Sequence, residues 1–220
     1  MSDIKTLTQL QDALDKEMGW RVKEIGAFRF ASKSVGQEKK FFIRAGVAIL
    51  YAHWEGFVKN ASEHYLNYIN NQGHTYKELQ SCFSLFGLKG KLQTLVNSRK
   101  SGPNLEAFNF IFSELEKKAN LNMSSAIDTE SNLTSKVFSN IAASLDISTI
   151  AYATKFNLID ESLVNKRNKV AHGEYLDLGG REFGELVEEI LQLMREYKTD
   201  IENAASMKKY IRSTPEFLQA

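Results

Sequence analysis

Residues 37–71 read as one long helix with apolar side chains on most of its faces. A helix of that kind holds in water only when other elements cover it nearly all round. Phe41, Phe42, Ile43, Val47, Ile49, Leu50, Trp54, Phe57, Val58, Tyr65, Leu66 and Ile69 follow three- and four-residue steps and spread about the axis. The rest of the chain must supply the cover, and it has the means: the only prolines are Pro103 and Pro215, and the stretches between them carry helix formers at the same spacing. The expected fold class is therefore all-α.

The spacing predicts a first helix from about Asp3 to about Ser34, with Gly19 and Gly26 as its weak points, pairing antiparallel with a second from Gln37 to Asn71. Shorter segments follow at Tyr76–Phe86, Gly90–Ser98 and Pro103–Lys118, then a polar surface loop over 119–131. Helices over Asn132–Leu145 and Phe156–Tyr175, a glycine stop at the LGG of 178–180, and a last helix over Arg181–Ala205 complete the order. The expectation is an up-and-down helical bundle, a single domain over 1–220, with residues 1–36 as an N-terminal helical extension.

Several function classes are disfavoured. The 28 basic and 27 acidic side chains leave a formal charge of +1, so any polyanion must be met locally and not by a global field. Cys82 is the only cysteine, which rules out an internal disulfide or cysteine-rich zinc site and fits a reducing compartment; its simplest role is that of a small core residue. The first eighteen residues lack the apolar stretch of a signal peptide, and the longest apolar run, Ala45–Ala52, is far short of the ~20 residues of a membrane span. A cytoplasmic location without membrane attachment is expected, which makes the sequons at Asn60 and Asn132 chance matches.

On a helical wheel Phe156, Ile159, Leu163, Val164, Val170, Ala171 and Tyr175 share one arc, and Arg167 falls near its centre. Asn168 and His172, four apart, stack at the edge. The arc is wide for a single covering neighbour, so part of it is expected to meet a second helix or a second subunit. A guanidinium among apolar groups keeps its charge and loses hydration, which demands an anion or several acceptors. One answer is a structural salt bridge to a core carboxylate. The other is a phosphate: an imidazole that takes a proton from a ribose 2′-hydroxyl and an arginine that stabilises the phosphorane suit RNA cleavage to a cyclic phosphate, with no metal needed.

As bare spacing R-x4-H is weak; its weight comes from the helix around it, from Asn168 after the arginine, and from the small Ala171 and Gly173 flanking the histidine. RNKVAHGEY, late in an all-helical chain, resembles the signature of the HEPN superfamily, and YAHWEGFVKNASEHYL resembles the second-helix segment of a bacterial HEPN branch. The likeness extends over about Phe41 to Ala205. It implies a helical domain that dimerises through the Arg167–His172 helix so that two motifs face each other as one metal-independent RNase site, without a cofactor. Arg167 and His172 would be the catalytic pair and Asn168 the supporting polar residue. The resemblance further implies a toxin or antiphage effector, with an antitoxin or regulatory protein as a candidate partner, although some HEPN domains are inactive binding modules.

A polar stripe crosses the otherwise apolar second helix, where Arg44, Ala48, Tyr51, Glu55, Lys59 and Ser62 fall on one side. Glu55 and Lys59 read either as an i,i+4 pair or as substrate-side groups, with Glu55 as resting counter-ion of Arg167. Lys166 and Lys169 beside the motif are candidate phosphate contacts. The basic clusters at Lys89–Lys100 and near Lys208 are more remote candidates for such contacts, or simply solvated helix faces. His53 and His64, eleven apart, cannot share a metal ion and are expected to be structural or solvent-facing, and His74 sits in a loop. Two rivals to the ribonuclease stand: a HEPN module that only binds RNA, nucleotide or protein, and a helical scaffold whose Arg167 is salt-bridged at a dimer interface.

Overall fold

α1 (Leu7–Ala31) and α2 (Glu38–Asn71) run antiparallel in the computed structural model, which describes residues 3–33, 38–121 and 127–212. The pairing is fixed at one end and along its middle. The Ile4 N–H donates to Asn67 Oδ1 at 2.9 Å, and further along Glu17 and Arg21 meet Asn60 and His53. Thr6 and Gln9 form a reciprocal capping box that starts α1, and the helix then runs unbroken through Gly19 and Gly26, where packing outweighs the modest cost of glycine. The expected ends at Ser34 and Gln37 lie outside the described residues, as do positions 122–126 of the expected loop.

α2 is the covered spine, with Val47, Trp54, Phe57, Val58, Ala61, Tyr65 and Leu66 wholly buried. α7 (Gly180–Ser206) presents Phe183, Val187, Ile190, Met194, Tyr197 and Ile201 to the same core. Its approach to α2 depends on Gly46, where a Cβ would come 2.5 Å from Phe183 Cζ. Ser62 of the polar stripe is core here, bonded to Tyr197 Oη at 2.7 Å.

A polar cluster lies between α1 and α2. Arg21 is only 4% exposed; its Nη2 donates to Glu17 Oε2 at 2.8 Å, and its guanidinium lies 4.4 Å from the Trp20 ring centre. Gly56 leaves the room, since a Cβ there would stand 3.0 Å from Arg21 Nη1. Asn60 donates to the same Glu17 oxygen at 2.9 Å. His53 Nε2 sits 3.0 Å from Glu24 Oε2, though out of line for a hydrogen bond, and His64 Nε2 is 3.9 Å from Glu17 Oε1. Both histidines thus serve the α1–α2 contact, and burial holds both below the ordinary imidazole pKa.

α3 (Ser81–Asn97) and α4 (Ser101–Glu114) form a hairpin that packs chiefly on itself. α3 is one helix where two segments were expected. Its Gly87 admits the Tyr76 ring, whose hydroxyl would lie 2.2 Å from a Cβ. Cys82, half-buried against the core, has its thiol pushed by burial up to about 11, which leaves it unreactive at neutral pH. α5 (Ser135–Ser144) starts three residues later than expected because Thr134 is the cap, its side chain accepting from Val137 N.

The largest departure follows α5. The helix expected over Phe156–Tyr175 runs only to Ala171 and is π-helical over Leu158–Asn165, with the short α6 (Lys166–Ala171) as its last turns; a 3₁₀ turn (Ile150–Lys155) precedes it. The LGG glycines do not stop it: Gly173 does, and Gly179 instead caps α7, its N–H donating to Glu182 Oε2. The described residues are all-α, with no strand beyond two isolated bridges, and none of their helices is long and apolar enough to cross a membrane.

Candidate functional site at the start of α6

The π-helical stretch buries Ile159, Leu163 and Val164 and brings Arg167 over α2 at the first turn of α6. π-helical insertions widen the turn and re-aim the residues after them, so the ideal wheel overstated how far the arc reaches inward. Arg167 is half-buried, Val170 half-exposed, and Ala171, His172 and Tyr175 are exposed.

The guanidinium rests on neutral groups. Its central carbon lies 4.4 Å from the ring centre of Tyr51, and Nη1 donates to Asn132 Oδ1 at 2.8 Å and to Asn168 Oδ1 at 2.9 Å. The expected counter-ion Glu55 does not take that place. Arg167 Nε and Nη2 find no acceptor among the described residues, although neither is sealed from solvent. The contacts steady the side chain through charge–dipole attraction and a ring quadrupole worth about 0.5–2 kcal/mol, without neutralising it.

Two tethers hold this cradle. Tyr51, 1% exposed, accepts from the Leu133 N–H at 2.7 Å and so fixes the residue next to Asn132. Asp160, in the π-helical stretch, accepts from the backbone N–H and hydroxyl of Ser135 at 2.7 and 2.6 Å, a carboxylate at the start of α5. The strand of chain that carries Arg167 and the one that carries Asn132 are thereby pinned together. Burial raises the Tyr51 pKa; the Leu133 N–H works against the rise, nearby Glu55 adds to it, and Arg167 opposes it.

His172 closes α6. The Gly173 N–H bonds the Val170 carbonyl, the Glu174 N–H bonds the Lys169 carbonyl at 2.9 Å, and Gly173 takes φ +72°. This is a Schellman stop, which needs a residue at ease in the left-handed region. It leaves the imidazole exposed on the last turn. Arg44 Nη1 donates to the Glu174 carbonyl at 2.6 Å, fastening the chain just beyond the histidine to α2.

Of the residues singled out from sequence, Arg167 and Asn168 come together, with His172 one turn on but making no side-chain bond to either among the described residues. Lys166 is half-buried and Lys169 exposed on the same helix. Glu55 stands by the Tyr51 hydroxyl, while exposed Lys59 acts on Glu63, opposing the rise in pKa that burial causes there. Asn132 escaped notice because it read as the start of a helix; the clue was the Thr134-Ser135 cap just after it, which places Asn132 in the preceding loop. A groove of about 430 Å³ lies elsewhere, lined by Arg29, Lys33, Arg181 and Glu188 among others.

The RiboL-PSP-HEPN family matches residues 16–203, a span that includes Arg167, Asn168 and His172. The chain belongs to the RiboL-PSP-HEPN family. The match starts within α1 and ends within α7, so it takes in the buried Glu17–Arg21 cluster as well as the Arg167–His172 helix. HEPN-type domains of this family are nuclease- or RNA-related modules. No curated protein and no solved structure matches the chain.

Proposed function

We propose that this RiboL-PSP-HEPN protein is a metal-independent endoribonuclease that acts as a homodimer and serves as a toxin or antiphage effector. One observation carries the reading: the Arg167 guanidinium is anchored through a single nitrogen to two amide oxygens and laid on Tyr51, which leaves its charge and its other nitrogens for an outside anion. Because those nitrogens are open to solvent, a phosphate can replace water on them without disturbing the bonds that hold the side chain.

In the proposed reaction His172 removes the proton of a ribose 2′-hydroxyl and the oxygen attacks the adjacent phosphorus. The bond to the 5′-oxygen then breaks, and that oxygen leaves with a proton from an imidazolium. The products are a 2′,3′-cyclic phosphate and a 5′-hydroxyl end. Arg167 binds the phosphate and stabilises the charge that builds on it. Asn168 and Asn132 hold the guanidinium, and Lys166 and Lys169 contact flanking phosphates.

Dimerisation would pair two such sites. The exposed Ala171 and His172, the exposed ring of Tyr175, and Phe41 and Phe42 at the α2 end that Arg44 fastens to Glu174 support an interface at this end of the molecule. Glu55, near the Tyr51 hydroxyl, would contact substrate or the second copy.

The test is RNA cleavage by purified protein in EDTA, comparing the parent with His172→Ala and Arg167→Ala. Loss of activity in both variants is expected. Equal cleavage in all three samples would assign it to a contaminant. RNA binding without cleavage, weakened by Arg167→Ala, would make the protein a binding module.

A further inference from the structure

α4 is exposed round much of its circumference although it is rich in apolar residues. Ala107 is its only buried residue, while Leu105, Phe108 and Phe112 stand 61%, 50% and 63% exposed. Phe108 and Phe112 lean together with ring centres 4.8 Å apart. Its partner helix α3 and the connecting turn carry Lys89, Lys91, Arg99 and Lys100, against the single acidic Glu106 within residues 81–112, which leaves the rest of the chain net acidic. The neighbouring ion pairs, Lys77 with Glu116 and Lys117 with Glu114, leave these four cations without a carboxylate among the described residues. Charge and ring also meet directly: Lys91 Nζ lies 4.7 Å from the centre of the Phe110 ring.

We infer that the α3–α4 hairpin is a docking arm for single-stranded RNA, with phosphates held by its four cations and bases stacked on the exposed rings of Phe108 and Phe112. Single strands are held by that combination, a basic track with aromatic faces that any base can cover. The two other occupants such a surface suggests fit less well. A helix lying in a lipid surface carries cations on its own polar face, whereas the apolar α4 has no lysine or arginine, its charges being Glu106 and Glu114. A second copy meeting the same patch would set four cations against four, with only Glu106 and the Lys117-paired Glu114 on each side to relieve them. The inference rests on the proposed ribonuclease, to which it adds a surface that delivers the strand, yet it is read from binding and not from turnover.

The experiment uses the full chain carrying His172→Ala and a fluorescently labelled, unstructured 20-nucleotide RNA, with anisotropy measured at two salt concentrations. Changing Lys89, Lys91, Arg99 and Lys100 together to Gln is expected to weaken binding at least about 10-fold and to flatten the dependence of log affinity on log salt by up to about 3. Phe108→Ala with Phe112→Ala is expected to weaken binding about 10-fold or more with the salt dependence unchanged. Circular dichroism melts confirm that each variant is folded. Unchanged affinity in both folded variants overturns the inference, as does an absence of RNA binding in the parent. Loss of dimerisation in sedimentation, or of flotation with phosphatidylserine vesicles, while RNA affinity stays intact also overturns it. Cleavage by the unaltered chain is scored separately: cleavage with unaffected arm variants sinks the arm alone, and arm-dependent binding without cleavage sinks the ribonuclease alone.

Discussion

Asn132 Oδ1 accepts a 2.8 Å hydrogen bond from Arg167 Nη1, joining residues 35 apart across the gap between the loop before α5 and the first turn of α6. The bond sets where the guanidinium points without cancelling its charge. Asn132→Ala should therefore lower RNA cleavage about 10- to 100-fold, chiefly in kcat, and destabilise the fold by only about 1 kcal/mol in urea titration. Asn132→Asp separates position from charge: the side chain keeps the shape, and its carboxylate becomes the counter-ion that the native protein does without. RNA binding should fall in Asn132→Asp while thermal stability holds or rises. A variant that binds RNA as tightly as the parent would show that the charge of Arg167 is not used.

Tyr51 supplies two things to Arg167, a ring face and, through the Leu133 N–H, a fixed position for Asn132. Tyr51→Phe keeps the first and removes the second, leaving a buried N–H without its acceptor, a cost of about 1–3 kcal/mol. Tyr51→Leu loses both. Denaturant titration should rank the parent above Tyr51→Phe and Tyr51→Phe above Tyr51→Leu, and cleavage rates should follow the same order.

Stability should depend on pH through the α1–α2 cluster. Burial depresses the folded-state pKa of His53 and His64, so the neutral imidazoles contribute fully above the unfolded value of about 6.5, and the contribution is lost as pH falls through the lowered values. For Glu17 burial acts upward, but hydrogen bonds from Asn60 and Arg21 and the charges of Arg21 and His64 outweigh it, so a second loss follows at more acid pH, below its ordinary value of 4.5. Melting temperature should be level above neutral pH and fall in two stages on acidification. In His53→Gln the upper stage should shrink; an unaltered profile would exclude His53 as its source.

Gly173 has open space where a Cβ would go, so its constraint is the backbone alone, at φ +72°. Gly173→Ala should cost about 1 kcal/mol in melting or denaturant experiments, and Gly173→Asn less, because asparagine tolerates the left-handed region. Since the same turn sets down His172, cleavage should fall more in the alanine variant than its stability loss alone accounts for.

The covered spine, the antiparallel α1–α2 pair and the α7 stripe were legible because each is a long run whose period outweighs local noise. α5, α6 and the glycine stops were misplaced for local reasons: Thr134 outcompetes Asn132 as a cap, a π-helical stretch has no periodic signature of its own, and a glycine pair after a helix reads as a stop even when it begins the next one. Arg167, Asn168 and His172 could be picked out because they lie within one helical turn or two. Asn132 could not, since its contact with Arg167 depends on a chain path of 35 residues. The Glu17–Arg21–His53 cluster was hidden likewise: its parts sit on two helices, and each alone looks like an ordinary solvated charge.

The claim on which the function rests is that an RNA phosphate completes the charge of Arg167. It is tested most directly by the side-chain Nε–Hε resonance of Arg167, assigned through its disappearance in Arg167→Lys, during titration with a 2′-O-methyl RNA that binds and cannot be cleaved. This resonance is expected to shift and saturate with the RNA, and not to respond to an oligomer of the same sequence with an uncharged backbone. A resonance that stays in place while the RNA binds would contradict the claim.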